Sequence, residues 1–290
     1  MSMPTYTKTF HTTTYPAISP LLPSLSTARK VVLLTGGGSS IATSIALSFA
    51  ASGSKAIVLL GRNTTSLLSN KTQIETKHPS TTVLTFVADI NDEAAVNAAF
   101  TTVQQQFGGI DILLQIAAYF PDGQPIATAS VSEYFSGFET NVKGNLIVTQ
   151  AFLRTRTEKR EAVLIHVSTG GVHLPAMPFP ISAYIASKAA AAKMMEYLSV
   201  ELKEKGVRVL NVHPGMLDTV QGIKAASAGM VVPFDDAQLS ADFMVWLASP
   251  EAEFLHGKLV WANWDVDELK AKKEELLSGP ALTLGLNGWP

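Results

Sequence analysis

Residues 31–53 read VVLLTGGGSSIATSIALSFAASG: an apolar run, three glycines, then a stretch with helical periodicity that stops at Gly53. A strand that turns through glycines into a helix lets backbone N–H groups approach a pyrophosphate at the positive end of that helix. Gly36, Gly37 and Gly38 supply the turn. Two positions depart from the full glycine pattern. Ser40 brings a Cβ toward the phosphates together with a hydroxyl that can donate to them, and Ala42 is a small change where the helix would pack on its sheet.

Outward from this unit, apolar runs at 31–35, 56–60, 83–88, 110–117, 162–168, 207–212 and 258–262 alternate with helical patterns. Asn91 is the expected N-cap of one helix, and Gly53 and Gly108 are expected stops. Strands so continuously apolar are buried on both faces, which requires helices on both sides of a parallel sheet. The expected fold is α/β, a Rossmann-type doubly wound sheet of seven parallel strands. Residues 1–29 carry prolines at 16, 20 and 23 that would break an amphipathic helix, so they read as an extended arm over the domain surface or a neighbouring subunit. Residues 30–265 form the expected domain. Residues 266–290 form a helical tail, in which DVDELKAKKEELLSG reads as an exposed charged helix ending at Gly279.

Composition narrows the partners. The chain has 290 residues, 47% hydrophobic and 16% charged, with a formal net charge of −2, so nothing draws it generally toward nucleic acid or anionic lipid. No apolar run is long enough to span a membrane. The absence of cysteine excludes disulfides, thiolate catalysis and Cys-ligated zinc, and redox work would need a borrowed cofactor. The six histidines show no metal-ligand spacing, so no metal is expected. No G-x-S-x-G elbow supports a hydrolase. The expected protein is soluble and cytoplasmic, with a small molecule as its partner.

The second strand ends in LLGRN, where a carboxylate would read the ribose 2′-hydroxyl of NAD. Gly61 takes that place and Arg62 follows, which favours the 2′-phosphate of NADP over NAD; a solvated surface arginine is the alternative. Asp89, after the third strand in FVADI, can accept an adenine amino group or simply precede a helix. Farther on, SAYIASKAAAAKMMEYLSVELKEKG is helix-forming and holds Tyr184 and Lys188 four residues apart, hence on one face. It follows the strand AVLIHVSTGG, whose end presents Ser168 and Thr169 at the edge where doubly wound sheets bind ligands.

In their order, TGGGSSIA, Asn141 in NVKGN, HVST, YIASK and HPGMLDT resemble the short-chain dehydrogenase/reductase family over about residues 30–262. The arm and the ending VWANWDVDEL look like those of a subgroup common in filamentous fungi. Where that family usually has N-N-A-G, this chain has Gln115-Ile116-Ala117-Ala118. The resemblance implies that Tyr184 is the general acid, or the base in the reverse direction. A free tyrosine has a pKa near 10, so work near pH 7 needs help of about 3 pH units, or about 4 kcal/mol. Lys188 would supply it and would also bind the nicotinamide ribose. Asn141 would hold a water in a proton relay, and Thr169, with Ser168 as the alternative, would polarise the substrate carbonyl. Pro214, Gly215 and Thr219 would meet the nicotinamide carboxamide, and the other implied cofactor contacts are Gly36, Ser39, Ser40, Ile41, Arg62, Asn63, Asp89, Ile90 and Ala117.

The expected reaction is NADPH-dependent interconversion of a ketone and a secondary alcohol. Residues 217–236, mainly small and apolar, take the place of the family's substrate lid and imply a hydrophobic or aromatic substrate, such as a secondary-metabolite intermediate. His173, just beyond a strand end, is a further candidate for reaching it. Redox-neutral proton transfer or a non-catalytic binding role is the alternative, because of the altered glycines. Long helices at 130–155 and 180–205 resemble those that pair subunits in the family, so a homodimer or homotetramer is expected.

Overall fold

Alternate residues of each strand go to opposite sides of one sheet. In the strand Val31–Thr35 (β1), Val32 and Leu34 belong to one buried cluster while Val31 and Leu33 belong to another. The same division runs through Ala56–Gly61 (β2), Ile112–Gln115 (β4) and Ala162–Val167 (β5), so both faces of the sheet are closed to water. This computed structural model describes residues 5–286 apart from 159, 228 and 230–232. With Thr82–Val87 (β3), Val207–His213 (β6) and Leu259–Trp261 (β7), the sheet has seven strands in the order β3-β2-β1-β4-β5-β6-β7, every neighbouring pair parallel. The order reverses between β1 and β4, which opens a crevice at their carboxyl ends.

The helices Ser40–Ala51 (α1) and Thr64–Lys77 (α2) and, later in the chain, Ala237–Ala248 (α8) contribute Phe49, Leu67 and Phe243 to one layer. Glu93–Phe107 (α3), Asn145–Thr155 (α5) and Ser182–Leu202 (α6) cover the other with Phe100, Phe152 and Met195. Val131–Phe138 (α4) runs into α5 through a π-helical turn, Glu139–Gly144, and Val220–Ser227 (α7) follows β6. Asp92, not the expected Asn91, caps α3, because its carboxylate accepts from Ala95 N while Asn91 N is held by Asp89. Gly108 ends α3 in the left-handed conformation, as expected.

Residues 5–29 lie on this same chain. Phe10 bridges Trp264 antiparallel, Tyr15 Oη donates to Trp264 O, and the backbone N–H groups of Lys8 and Thr9 donate to the Glu268 carboxylate. The tail departs from a single exposed helix. It forms two short helices, Val266–Ala271 (α9) and Lys273–Ser278 (α10), and Val266, Leu269 and Leu276 are buried in the main core. Its charged residues masked a narrow apolar stripe that only a packed neighbour makes visible.

Candidate active site

A cleft of about 1010 Å³ opens at the carboxyl ends of the strands, running from the glycine turn after β1 to the loop after β6. Its floor at one end is the turn itself. Gly36 has φ +68, and a Cβ there would lie 3.0 Å from Ala117 N; a Cβ on Gly37 would lie 2.8 Å from Leu59 Cα. No other residue type fits either place without moving backbone. Ser39 caps α1, its Oγ accepting from Ala42 N and donating to Gly36 O, and buried Asn70 donates to Gly37 O. Thr43 N donates to Ser39 O, so the first-turn N–H groups of Ser40 and Ile41 are those left to an anion, and both residues line the cleft. Ser40 is exposed, so its extra Cβ displaces nothing, while Ala42 is fully buried against the sheet. The turn therefore fits a dinucleotide despite both substitutions.

Arg62, Asp89 and Ile90 line the same end. Along the sequence no carboxylate neighbours Arg62, but the chain after the third strand brings Asp89 Oδ2 to 3.5 Å from its guanidinium. The arginine side chain is 77% exposed, so the pair is solvent-screened and yields readily to a phosphate. Asn63 stands apart from the other expected contacts. It is exposed, does not line the cleft, and spends its Oδ1 capping α2 through Ser66 N.

Tyr184 and Lys188 lie one turn apart near the start of α6, and both line the cleft. The Tyr184 ring stacks on Phe120 at 4.3 Å between centroids, and burial pushes its phenol well above the ordinary value. Lys188 is 1% exposed and donates from Nζ to Val167 O at 2.6 Å. Burial pushes it down to about 7. Ser168 and Thr169 both reach the cleft, but differently. Ser168 Oγ is sealed from solvent without a partner, whereas Thr169 is half-buried and caps a 3-10 turn by accepting from Gly171 N. Pro214, Gly215 and Thr219 line the far end; Thr219 Oγ1 accepts from Gly222 N, and Asp235 Oδ2 accepts from Met216 N to tie the two ends of the lid region together. Residues 228 and 230–232 of that region lie outside the described residues.

Asn141 is fully buried in the π-helical turn. Its Oδ1 accepts from Tyr119 N, and its Nδ2 donates to Tyr119 O and to Ser187 Oγ, which in turn donates to Tyr184 O. The side chain thus clamps the loop after β4 to the turn of α6 that carries Tyr184. These bonds commit both Nδ2 protons and one of the two lone pairs of Oδ1.

Several residues at the site escaped sequence reading. Phe120 is one. Trp261, at the end of β7, is another; it lines the cleft and donates from Nε1 to His173 Nε2, so His173 buttresses the wall and does not itself line the cleft. The signal was the glycine pair after HVST, since a Cβ on Gly170 would meet Trp261 at 2.6 Å. Among the described residues no cluster of His, Cys, Asp or Glu can hold a metal, and no helix is long and apolar enough to cross a membrane.

A sequence profile of the short chain dehydrogenases matches residues 30–228. A short chain dehydrogenase/reductase of Claviceps purpurea (strain 20.1) is 39% identical over 98% of this chain and 95% of its own. The short chain dehydrogenase/reductase AacuD of Aspergillus aculeatus is 32% identical over 97% and 96%. The crystal structure of levodione reductase superposes with a TM-score of 0.74 at 25% identity, covering 81% of this chain and 96% of that one. With the fold, the order of its motifs and this full-length likeness in agreement, the chain belongs to the short-chain dehydrogenase/reductase family of oxidoreductases, in the subgroup it shares with these fungal proteins.

Proposed function

We propose that this oxidoreductase interconverts a ketone and a secondary alcohol on a hydrophobic or aromatic small molecule, with NADP(H) preferred over NAD(H). The observation that carries the reading is Lys188, buried and hydrogen-bonded to Val167 O one turn from Tyr184, in the cleft that begins at the glycine turn. When bound, the nicotinamide supplies or takes the hydride. Tyr184, a phenol protonated near neutral pH, gives its proton to the carbonyl oxygen, and the Lys188 ammonium stabilises the phenolate that remains. Thr169 donates its free hydroxyl proton to the same oxygen, being the less enclosed of the two candidates. Phe120, Met177, Phe179 and Trp261 form apolar walls suited to a ring, as among secondary-metabolite intermediates. The likeness to levodione reductase supports a ketone as the substrate.

Two experiments test this. Titration with NADPH and NADH, followed by nicotinamide fluorescence, is expected to give tighter NADPH binding, and Arg62→Ala to remove about tenfold of that preference, the value of one charged hydrogen bond in a screened setting. Binding of neither cofactor would turn the search to redox-neutral chemistry or a binding role. In a ketone screen, Thr169→Ala is expected to lose about a hundredfold in kcat, and Ser168→Ala under tenfold. The reverse order would move the carbonyl contact to Ser168.

A further inference from the structure

Beneath Lys188 a row of polar side chains crosses the sheet where apolar residues would ordinarily sit. Gln115 on β4, His166 on β5 and Asn211 on β6 are register neighbours, and all three are buried. The hydrogen bonds fix which atoms are donors. Gln115 Nε2 donates to Asn145 O and Thr149 Oγ1, which leaves its Oε1 as an acceptor. His166 Nδ1, at 3.1 Å from that oxygen, must therefore carry the ring proton. Asn211 Nδ2 donates to Ala192 O on α6. What remains is His166 Nε2 and Asn211 Oδ1, two buried acceptors with no donor. Asn145 Oδ1, on α5, is a third, since its Nδ2 donates to Asn141 O.

Unpaired acceptors in a core are costly, and a cluster of them calls for a shared donor. Lys188 is the cation of this neighbourhood: its Nζ donates to the carbonyl of Val167, the residue next to His166 on β5, and that bond occupies one of its three protons. The other titratable groups near it are Tyr184 on its own helix and His213, at the end of β6 in the same cleft. Burial keeps His213 neutral down to about pH 3. From β4 and α5 the facing residues are the uncharged Gln115, Asn145 and Thr149. Asn141, spent on Tyr119 and Ser187, is not available to them.

We propose that His166, locked by Gln115 into the Nδ1–H tautomer, is a positioning residue for Lys188: its Nε2 lone pair, through one bridging water, accepts a hydrogen bond from the ammonium and holds Lys188 charged at the pH where Tyr184 must release its proton. Gln115 and His166 then act as a pair, and the Gln115 departure in LLQIAAYF has a use. Burial keeps His166 itself uncharged, so it stays an acceptor throughout.

This rests on the catalytic reading of Tyr184 and Lys188, so the test has one readout that does not. Removing an acceptor from the ammonium lowers the proton affinity of Lys188. In His166→Leu the alkaline limb of kcat for ketone reduction is expected to move down by about one pH unit, while in His166→Asn, which retains an acceptor, most of that shift is recovered. The same displacement is expected in the melting temperature of the cofactor-free protein. Its rise with pH above about 7, isolated by subtracting the Lys188→Met curve, begins about one unit lower in His166→Leu. A folded His166→Leu protein whose stability curve is unmoved, or equal shifts for Leu and Asn, overturns the proposal. Should His166→Leu fail to fold, Gln115→Met releases the tautomer lock and is expected to shift the curve the same way; no shift there also overturns it. An inactive wild type with the expected stability shifts would count against the catalytic reading and leave the His166–Lys188 coupling standing.

Discussion

Tyr184→Phe is expected to lower kcat for ketone reduction by about a thousandfold or more, within the range that a general acid contributes, while NADPH affinity and melting temperature stay close to wild type. The substitution removes one oxygen. The ring that stacks on Phe120 at 4.3 Å remains, as does the turn held by Ser187 Oγ on the Tyr184 carbonyl, so the cleft keeps its shape. Burial raises the phenol pKa, which suits a proton donor but makes the phenolate expensive unless a cation is near. The group lost is therefore the only one of the pair that gives up a proton to substrate. Steady-state kinetics with fluorescence titration of NADPH checks this. A variant that keeps more than about a tenth of wild-type turnover would remove Tyr184 from the chemistry.

Lys188→Met is expected to be inactive yet more stable. Without the ammonium the Tyr184 phenolate loses its stabiliser, and turnover should fall by about 10²–10⁴-fold. Stability moves the other way because Lys188 is 1% exposed and its folded pKa is pushed down to about 7 from 10.5. The sign follows from proton counting. Between those values the unfolded chain binds the proton more readily, so stability rises with pH; below about 7 both states are charged and the folded state bears the whole desolvation cost. That cost is on the order of 5 kcal/mol, offset in part by the bond to Val167 O, whose loss leaves a buried carbonyl unpaired at about 1–3 kcal/mol. A net gain of roughly 2 kcal/mol, or a few degrees in Tm, is expected below pH 7, fading toward pH 10. Thermal unfolding at pH 6 and pH 10 checks it. An unchanged or lower Tm at pH 6 would mean that the lysine is paired and stabilising, not strained by burial.

These two residues, and the glycine turn, were legible in the sequence because each belongs to a local pattern. Four residues make one helical turn, so Tyr184 and Lys188 had to share a face; two-sided apolar strands had to lie in a covered parallel sheet, and a strand entering a helix through Gly36 and Gly37 had to present backbone N–H groups at the sheet edge. The seven strands, their order of appearance and the edge that carries the cleft follow from such short-range rules. What packing decided was which groups from distant positions meet. Asp89 comes to 3.5 Å from Arg62 across 27 residues of chain, Asn141 is spent on Tyr119 and Ser187, Trp261 closes a wall against Gly170, and the tail hides Leu269 and Leu276 behind a charged surface. Periodicity reports which face of an element is apolar; it carries no record of the partner that face or side chain will find. The row of Gln115, His166 and Asn211 lies beyond sequence reading for the same reason, since parallel strands align residues 51 and 45 positions apart through crossover helices and no local rule links them.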